Sequence, residues 1–440
     1  MTTILFNEIF QPHSLLDIYF TEIQSKKSIG IDKINRQSFE KRLNENINTI
    51  NRKVLNGTYL FTCYKLKLIS KGRNKTPRII SVPTIRDKIT LRTLSLFLSE
   101  LYSKELKHSL VQPIINDLKI SLKSGIYDSY LRIDIENFYP SINHEILLNK
   151  IKKKVKKPEI ISLIIKALTT KTVSLPKEII QKPKKGVPQG LSISNVLSSI
   201  YLLDLDSKYK NFNDFKYFRY VDDILILCNK NTVENIKKNI SEELKLLELK
   251  INNDKSDNGS IYDKFSYLGY LNTEKGFSVR ESTVAKLKDS IVKIISRYKY
   301  ANTGTKKALL WKLNLRISGC RYGDKKYGWL FFFSQIDNIA LLYELDWFVR
   351  KIFVRYNINI ENLYIKRFVR TYFEITKNLS HTNYIENFNA YSERQKRKLL
   401  KEIFRIKKES KYTDDQIDII FNDKISYTVR ELQVDLQRTS

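Results

Sequence analysis

The stretch FKYFRYVDDILIL, residues 215–227, decides the fold of this chain. Two runs with strand character flank Asp222 and Asp223, which predicts a β-hairpin with both carboxylates at its tip. On its own, a pair of acids is more often a polar turn. Two-residue hairpin turns, however, favour Asn-Gly or Asp-Gly because they need positive φ angles, and adjacent acids also repel each other. Such a local cost without structural gain indicates a functional site.

A third acid, Asp134, lies near the end of a second predicted strand, LRIDI at residues 131–135. Because a sheet aligns strands that are distant in sequence, Asp134 can join the two acids of the hairpin. Clustered carboxylates repel one another unless cations neutralise them, and hard oxygen ligands select Mg²⁺ or Mn²⁺. The pattern predicts a site for two such ions, with Asp134 and Asp222 as the bridging ligands. Asp223 is the expected third, less direct ligand, and the carbonyl of Ile135 is an extra one.

The composition indicates a polyanionic partner. Lys and Arg number 78 against 47 Asp and Glu, which gives a formal net charge of +31. Such a charge attracts nucleic acid or an anionic membrane surface. The most apolar long stretch, residues 328–349, contains five acidic or amide side chains that would be too costly in lipid. Nucleic acid is therefore the expected partner, and a membrane is not.

Cysteine and histidine usage argues against a zinc site and for a reducing compartment. The three cysteines and four histidines are scattered and form no CxxC pair or other metal-binding spacing. The N-terminal sequence has no basic segment or cleavage site typical of a signal peptide. The expected location is the cytoplasm.

Several motifs occur in the order that is typical of reverse transcriptases. Tyr220-Val-Asp-Asp223 resembles their YxDD box, RIDIENFYPSI at 132–142 their first catalytic box, and GVPQG at 186–190 their PQG box. GID at 30–32 resembles the start of the fingers in this family. The segments KGR at 71–73, PR at 77–78 and PTIRD at 83–87 together resemble the fingers motif of bacterial members. NNDKS at 252–256 and FSYLG at 265–269 resemble the last two palm motifs. Together and in this order, these motifs are far more specific than any one of them.

The resemblance implies how the incoming nucleotide would be bound. Arg78 with Lys71 or Arg73 would hold the triphosphate, which needs cations that stay ionised. Tyr139 stands where the family places a steric gate against a ribose 2′-hydroxyl, and Phe138 takes that place if the register slips by one. Each basic residue taken alone could equally be a surface charge, and Tyr139 a core aromatic.

Further contacts follow from the same resemblance. Gln189 would pack against the nascent base pair, and Lys255 would lie near the triphosphate or brace the palm. Gly186 and Gly190 would let the backbone approach the nucleic acid closely. The remaining implied nucleic-acid contacts are Tyr220, Leu268 and Gly269.

The fold that the resemblance implies is an α+β right-hand polymerase. Its fingers and palm would combine an antiparallel sheet with helices, followed by a helical thumb and an all-α C-terminal extension. The expected boundaries are 1–110 for the N-terminal helices and fingers, 111–278 for the palm with fingers segments, 279–350 for the thumb and 351–440 for the extension.

The implied function is DNA synthesis from dNTPs on an RNA template. The SISN segment at 192–195 resembles the form in bacterial abortive-infection and defence-associated reverse transcriptases, with the type 3 defence system as the suggested subtype. A dedicated non-coding RNA would then be the template in anti-phage defence, and a second copy or a second defence protein would be a further partner. Alternatives that stay open are a retron or group II intron-type enzyme, a template-independent DNA polymerase and a non-catalytic RNA-binding scaffold. Mutually repelling acids argue against the scaffold.

Overall fold

The computed structural model describes residues 2–26, 28–70, 76–106, 110–175, 181–210, 212, 214–301, 305–359, 363–406, 411–434 and 436. The chain forms two compact units. The first contains Met1–Ser109 and Ser124–Ser260, and the second contains Leu110–Lys123 and Ile261–Ser440. Helices combined with mostly antiparallel sheets confirm the expected α+β class.

The helices in chain order are α1 (Thr2–Ile9), α2 (Pro12–Ile18), α3 (Arg36–Glu40), α4 (Leu43–Leu55), α5 (Ile85–Leu101), α6 (Val111–Lys123), α7 (Phe138–Ser141), α8 (His144–Lys152), α9 (Pro158–Thr169), α10 (Ser194–Tyr201), α11 (Leu203–Tyr209), α12 (Val233–Leu246), α13 (Glu281–Ala301), α14 (Lys306–Ser318), α15 (Trp329–Phe332), α16 (Ile339–Arg355), α17 (Phe368–Lys377), α18 (Glu393–Glu402) and α19 (Asp414–Gln433). The strands are β1 (Tyr64–Ile69), β2 (Arg78–Val82), β3 (Ser129–Asp134), β4 (Thr172–Val173), β5 (Lys216–Tyr220), β6 (Asp223–Cys228), β7 (Asp257–Ser260), β8 (Phe265–Tyr267), β9 (Tyr270–Thr273), β10 (Gly276–Val279), β11 (Cys320–Tyr322), β12 (Lys325–Tyr327) and β13 (Glu386–Asn387).

The first unit is built around a four-stranded antiparallel sheet with the strand order β5-β6-β3-β7, which we call the palm sheet. The apolar run from Ile224 to Cys228 in β6 is buried throughout, and α12 packs against β3. The pairing of β3 with β6 runs from Ser129 opposite Cys228 to Asp134 opposite Asp223. The sheet therefore ends with two acids side by side.

A second sheet of the first unit has the order β2-β1-β4. The sequence of residues 59–83 predicts two strands, and the structure has β1 and β2 in this range. Residues 71–75, for which the sequence predicts a turn, lie outside the described residues. Helix α8 begins after Asn143, whose side chain accepts hydrogen bonds from the backbone N–H groups of Glu145 and Ile146. Asparagine is among the residues that N-cap positions prefer.

Two of the fingers motifs are explained by packing within the first unit. A Cβ atom at Gly30 would lie 2.7 Å from Cα of Thr84, so only glycine fits there. The buried carboxylate of Asp87 accepts hydrogen bonds from the hydroxyls of Tyr59 (2.7 Å) and Thr84 (2.8 Å) and from the backbone N–H of Thr62 (3.1 Å). The GID and PTIRD motifs therefore fasten the N-terminal segment to α5.

The second unit joins α6 to the C-terminal half of the chain. Gln112 donates a hydrogen bond of 2.9 Å to the carbonyl of Phe331, and Lys119 pairs with Asp337 at 2.6 Å. Helix α13 packs against α14 and α16, and α18 packs against α19. The sequence after about residue 280 predicts mostly helices, and helices packed against one another make up most of this unit.

Several expected elements differ from the structure. The sequence of residues 265–271 predicts a single strand. The structure has a hairpin of β8 and β9 there, because Leu268 and Gly269 take positive φ angles of 49° and 84° between the strands. The sequence from about Ser192 to Leu205 predicts one helix, whereas the structure has two, α10 and α11, which are separated at Leu202.

The region beyond residue 280 also contains short strands that the helical pattern concealed. Strands β11 and β12 pair with each other, and β13 pairs with β11. Glycines with positive φ angles bound these strands, at Gly319, Gly323 and Gly328. The apolar stretch 328–349 is not one helix either, since residues 333–338 separate α15 from α16. No helix in the described part of the chain combines the length and hydropathy that crossing a membrane requires.

Candidate active site

The hairpin β5–β6 has its turn one residue earlier than the sequence predicts. Tyr220 lies opposite Asp223, so Val221 and Asp222 form the turn and Asp223 is the first residue of β6. Val221 has a φ angle of 58°, in the region that hairpin turns usually give to glycine. A β-branched residue there costs on the order of 1–3 kcal/mol. The turn therefore has the positive φ angle that hairpin turns need, and the residue with that angle is Val221.

The hairpin turn is tied to α11 by a buried ion pair. Arg219 donates from Nε to Oδ1 of Asp206 at 2.7 Å and from Nη1 to the carbonyl of Val221 at 2.7 Å. The hydroxyl of Tyr217 donates to the same Oδ1 at 3.0 Å. Burial works against ionisation of Asp206, but the hydrogen bonds and charge of Arg219 hold its pKa below the ordinary value. This network fixes the backbone that presents the acids.

Asp134 is held by the loop before β7. Its Oδ2 accepts hydrogen bonds from Asn252 (3.1 Å) and Lys255 (3.4 Å). Its backbone N–H donates to the hydroxyl of Ser256 at 3.1 Å, and its carbonyl accepts from the backbone N–H of Asn252 at 2.8 Å. The neighbouring Ile135 forms an antiparallel bridge with Ile251. The NNDKS segment therefore positions the first acid.

Asp223 has a basic partner of its own. Nε of Arg132 lies 3.3 Å from Oδ1 of Asp223, and both side chains are largely buried. Arg132 stands two residues before Asp134 in β3, so both side chains point to the same face of the sheet. Asp134 and Asp223 thus each carry one ion pair across this face.

The pKa of Asp222 is raised within this cluster of three acids. Burial, reinforced by the charges of Asp134 and Asp223, raises the pKa of Asp222 to about 6. Lys255 acts in the opposite direction. Three carboxylates that repel one another provide the hard oxygen ligands that Mg²⁺ prefers. The donor set therefore fits divalent ions held by Asp134, Asp222 and Asp223.

The carboxylates do not yet converge as metal ligands. Within the part of the chain that the structure describes, no three His, Cys, Asp or Glu side chains are arranged to hold one ion. Asp134 and Asp223 point to Lys255 and Arg132 instead. Ion binding by these acids would therefore compete with both pairs.

Tyr139 lies beside the acids, and Phe138 does not face them. Phe138 is 2% exposed in the core, whereas Tyr139 is half-buried and donates a hydrogen bond of 2.8 Å to Oδ1 of Asn195. Burial, followed by the charge of Asp222, raises the pKa of Tyr139, and the charge of Arg78 opposes the shift. Of the two aromatic residues, only Tyr139 thus has a partly exposed side chain beside the acids.

The glycines of the PQG loop have reasons within the protein. Gly186 has a φ angle of 92°, and a Cβ atom there would lie 3.0 Å from the carbonyl oxygen of Pro140. Gly190 has a φ angle of 97°, and its Cβ atom would lie 2.6 Å from Cγ2 of Ile80. The carbonyl of Gln189 accepts a hydrogen bond of 2.8 Å from β2, at the backbone N–H of Ser81. Close packing of this loop on the protein is sufficient to require both glycines.

The residues expected to bind the triphosphate and the nucleic acid are placed as follows. Arg78 begins β2, and Lys71 and Arg73 lie outside the described residues. Tyr220 ends β5, and burial raises its pKa. The remaining two expected contacts, Leu268 and Gly269, belong to the second unit and form the β8–β9 turn, in which the Leu268 side chain is buried.

Four residues that contact the site were not among the residues expected to serve it: Arg132, Asn195, Asn252 and Ser256. For Arg132, the alternation of β3 was an available signal, because it places residues 132 and 134 on one face. Asn195 and Asn252 gave no such signal, since their contacts span 56 and 118 residues.

Residues 69–271 match the family described as "Reverse transcriptase (RNA-dependent DNA polymerase)". The chain therefore contains a reverse-transcriptase domain, and the class of enzyme is an RNA-directed DNA polymerase, a nucleotidyltransferase. The resemblance drawn from the motifs is confirmed at the level of this domain. Reverse transcriptases generally use divalent metals such as Mg²⁺.

Individual relatives share this domain. The chain is 24% identical to Protein YkfC of Escherichia coli strain K12 over 363 residues, covering 71% of this chain and 91% of the relative. It is 27% identical over 250 residues to the group II intron-encoded protein LtrA of Lactococcus lactis subsp. cremoris, covering 53% of this chain and 40% of that protein. This chain thus spans about two fifths of the length of LtrA. The structure of apo telomerase from Candida tropicalis aligns with a TM-score of 0.45 and 17% identity, over 86% of this chain and 65% of that one.

Proposed function

We propose that this chain extends a 3′-hydroxyl with deoxynucleotides on an RNA template, with Asp134, Asp222 and Asp223 holding two divalent ions. The observation that carries the proposal is the register of the palm sheet. In this register Asp134 lies opposite Asp223, and Asp223 directly follows the turn residue Asp222. The raised pKa of Asp222 supports it, because burial and the charges of Asp134 and Asp223 disfavour the ionised carboxylate, and a bound cation would stabilise it. Mg²⁺ ions held by Asp134, Asp222 and Asp223 would supply activation of the attacking hydroxyl and charge stabilisation of the leaving pyrophosphate, and Mn²⁺ has the same ligand preference.

In this proposal the residues around the acids select and orient the nucleotide. Tyr139 excludes a ribose 2′-hydroxyl, and its hydrogen bond to Asn195 holds the ring in place. Arg78 binds the triphosphate together with Lys71 or Arg73, and Lys255 lies close enough to Asp134 to contribute.

Further residues are proposed to contact the nucleic acid. Gln189 packs against the nascent base pair, and its own backbone bond to β2 supports that position. The remaining proposed contacts are Gly186, Gly190, Tyr220, Leu268 and Gly269.

The proposal extends to a biological role in the bacterial cytoplasm. The SISN segment at 192–195 favours a defence-associated enzyme that copies a dedicated non-coding RNA during anti-phage defence. A retron or group II intron-type enzyme is the second candidate, and the likeness to LtrA favours it. Sequencing the RNA that co-purifies with the protein separates the two, because a host intron transcript would replace the dedicated RNA.

Incorporation of labelled dNTPs by the purified protein, with Mg²⁺ and its co-purifying RNA, tests the catalytic assignment. Replacing both hairpin acids, by Asp222→Ala with Asp223→Ala, should reduce incorporation at least about a hundredfold, because several kcal/mol of charge stabilisation depend on the ions. Asp324→Ala, at an exposed turn of the second unit, is the matched control and should leave the rate unchanged. Equal rates for the double variant and the wild type would refute the active site.

Two further arms of that assay separate the remaining alternatives. Degrading the RNA should stop synthesis if the RNA is the template, and continued synthesis would favour template-independent polymerisation. A wild-type protein that binds the RNA but incorporates no dNTP under any metal condition would favour the scaffold.

A further inference from the structure

A cleft of about 590 Å³ opens on the second unit, in the C-terminal part of the chain. Its lining combines three aromatic side chains with three basic ones: Tyr364, Phe373, Tyr384, Arg367, Arg370 and Lys377. A cleft of this size holds a ligand as large as a nucleotide. None of these residues belongs to the reverse-transcriptase match at 69–271.

The aromatic residues of the cleft are unequal in what they offer a ligand. Tyr364 is 62% exposed and Phe373 is 48% exposed. Tyr384 is buried, and its ring already has cations near it, with Cζ of Arg370 4.4 Å and Nζ of Lys366 5.4 Å from the ring centre. Tyr364 and Phe373 are therefore the two rings with surface available for stacking.

The basic residues keep their charge accessible. Arg367 pairs with Asp346 at 3.7 Å and Arg370 with Glu374 at 3.5 Å, yet both arginine side chains are more than half exposed. The carboxylates of both pairs are largely buried, at 13% and 15% exposed, so it is the exposed part of each guanidinium group that a phosphate would meet. Lys377 is exposed as well. The acid in the lining, Glu374, is turned to Arg370 and Asn378.

The walls of the cleft are held in place before any ligand arrives. Asn314 accepts from the backbone N–H of Lys366 at 2.8 Å and donates to the carbonyl of Tyr364 at 2.9 Å. Asp346 accepts from the backbone N–H of Phe368 at 2.5 Å, which fixes the start of α17. The hydroxyl of Tyr384 accepts from the backbone N–H of Arg367 at 2.7 Å. A preformed site loses less conformational entropy when it binds.

We infer that this cleft binds an unpaired nucleotide of a single-stranded nucleic acid, with the base stacked on Tyr364 or Phe373 and the phosphate on Arg367, Arg370 and Lys377. Exposed aromatic faces beside arginine and lysine are the pattern by which proteins bind single strands without reading their sequence. Paired bases are stacked inside a duplex and cannot enter. The inference goes beyond the proposed polymerase and does not depend on catalysis, so a catalytically dead chain would still bind.

Fluorescence anisotropy with labelled U₁₂, dT₁₂ and a duplex of equal length tests the inference on the full chain. Tyr364→Ala with Phe373→Ala should weaken single-strand binding about 5- to 100-fold, the loss expected for one stacked base, and should leave duplex binding unchanged. Tyr343→Ala, an exposed aromatic on α16, is the matched control and should bind like the wild type. Preference for U₁₂ or for dT₁₂ tells whether the strand is RNA or DNA.

Two site-specific measurements exclude binding elsewhere on this basic protein. A 5-iodouracil oligonucleotide should photo-crosslink to a peptide containing Tyr364 or Phe373, as mass spectrometry would show. Lys377→Gln should lower the slope of log affinity against log salt by about 0.7, whereas Lys325→Gln should not. Unchanged single-strand affinity in the aromatic variants, adducts confined to other peptides, or equally effective competition by polyglutamate would each overturn the inference.

Discussion

At the scale of single residues, the three acids of the palm sheet are not equivalent. Asp134 pairs with Lys255 and Asp223 with Arg132, whereas Asp222 has no ion pair among the residues that the structure describes. Its pKa is accordingly the one that burial and the neighbouring acids raise to about 6. A divalent ion would therefore stabilise the ionised carboxylate of Asp222 more than that of Asp134 or Asp223.

Asp222→Asn should stabilise the metal-free protein at pH 7.5 by up to about 3 kcal/mol and change little at pH 4 or below. The folded pKa of about 6 lies above the ordinary 3.8, so the folded state holds the proton more tightly. Stability contributed by that proton is present below pH 3.8 and is lost as the pH rises through about 6. Urea denaturation in chelator at several pH values measures the effect.

Asp324→Asn, at an exposed site, is the control for this series and should have the same small effect at every pH. A stabilisation by Asp222→Asn that did not change between pH 4 and pH 7.5 would contradict a pKa of Asp222 raised by burial and by the neighbouring acids.

Tyr139→Ala should increase ribonucleotide use about tenfold or more relative to deoxynucleotide use, because the ring would no longer block a 2′-hydroxyl. Asn195→Ala should give a smaller change in the same direction, since Tyr139 would lose only the acceptor of its hydroxyl. Single-turnover incorporation of dNTPs and NTPs gives the discrimination ratio. An unchanged ratio in Tyr139→Ala would remove the proposed gate.

At the scale of elements, the hairpin that carries the acids depends on α11. Asp206 and Arg219 are 7% and 8% exposed, and Arg219 also holds the carbonyl of Val221 in the strained turn. A buried charge needs its partner, so the helix and the hairpin are stable only together.

Asp206→Ala should destabilise the protein by about 3–5 kcal/mol, because Arg219 would be left as a buried, unpaired cation. Asp204→Ala is the control on the same helix: its carboxylate is 62% exposed and pairs with Lys150 at 3.0 Å, so at most about 1 kcal/mol should be lost. Urea denaturation compares the two variants. Equal losses would show that the buried pair does not anchor the hairpin.

The PQG loop makes a second contact between elements that can be tested. Gly190→Ala should cost about 2–4 kcal/mol, since the methyl group meets Ile80 of β2 and the φ angle of 97° is unfavourable for alanine. Gly125→Ala has a similar φ angle of 70° but open space around it, so about 1 kcal/mol is expected. Thermal unfolding of both variants separates the steric cost from the backbone cost, and similar losses would argue against tight packing.

At the scale of the whole molecule, the sequence predicted the parts that are local or patterned. The apolar runs beside Asp222 and Asp223 predicted the hairpin, and the alternation of LRIDI predicted β3. The turn was misplaced by one residue because no glycine marks it, and Val221 takes the positive φ angle instead. The short strands β11 and β12 were missed because three residues each give too little periodicity. The finer division at residues 110, 278 and 350 stays a prediction.

Long-range polar contacts were beyond the reach of the sequence. Asn195 meets Tyr139, and Asn252 meets Asp134, only because the sheet and the loops bring them together. Asparagine is common in turns for local reasons, so nothing in its position indicates a partner more than 50 residues away.

The hydrogen bonds between the NNDKS loop and the end of β3 limit which segments can be exchanged between homologues. Asn252, Lys255 and Ser256 all bond to a single residue, Asp134. A chimaera that takes β3 from one homologue and this loop from another would combine Asp134 of one parent with hydrogen-bond partners from the other. The two segments should therefore be exchanged together, and crossover points for gene shuffling should lie outside residues 129–260.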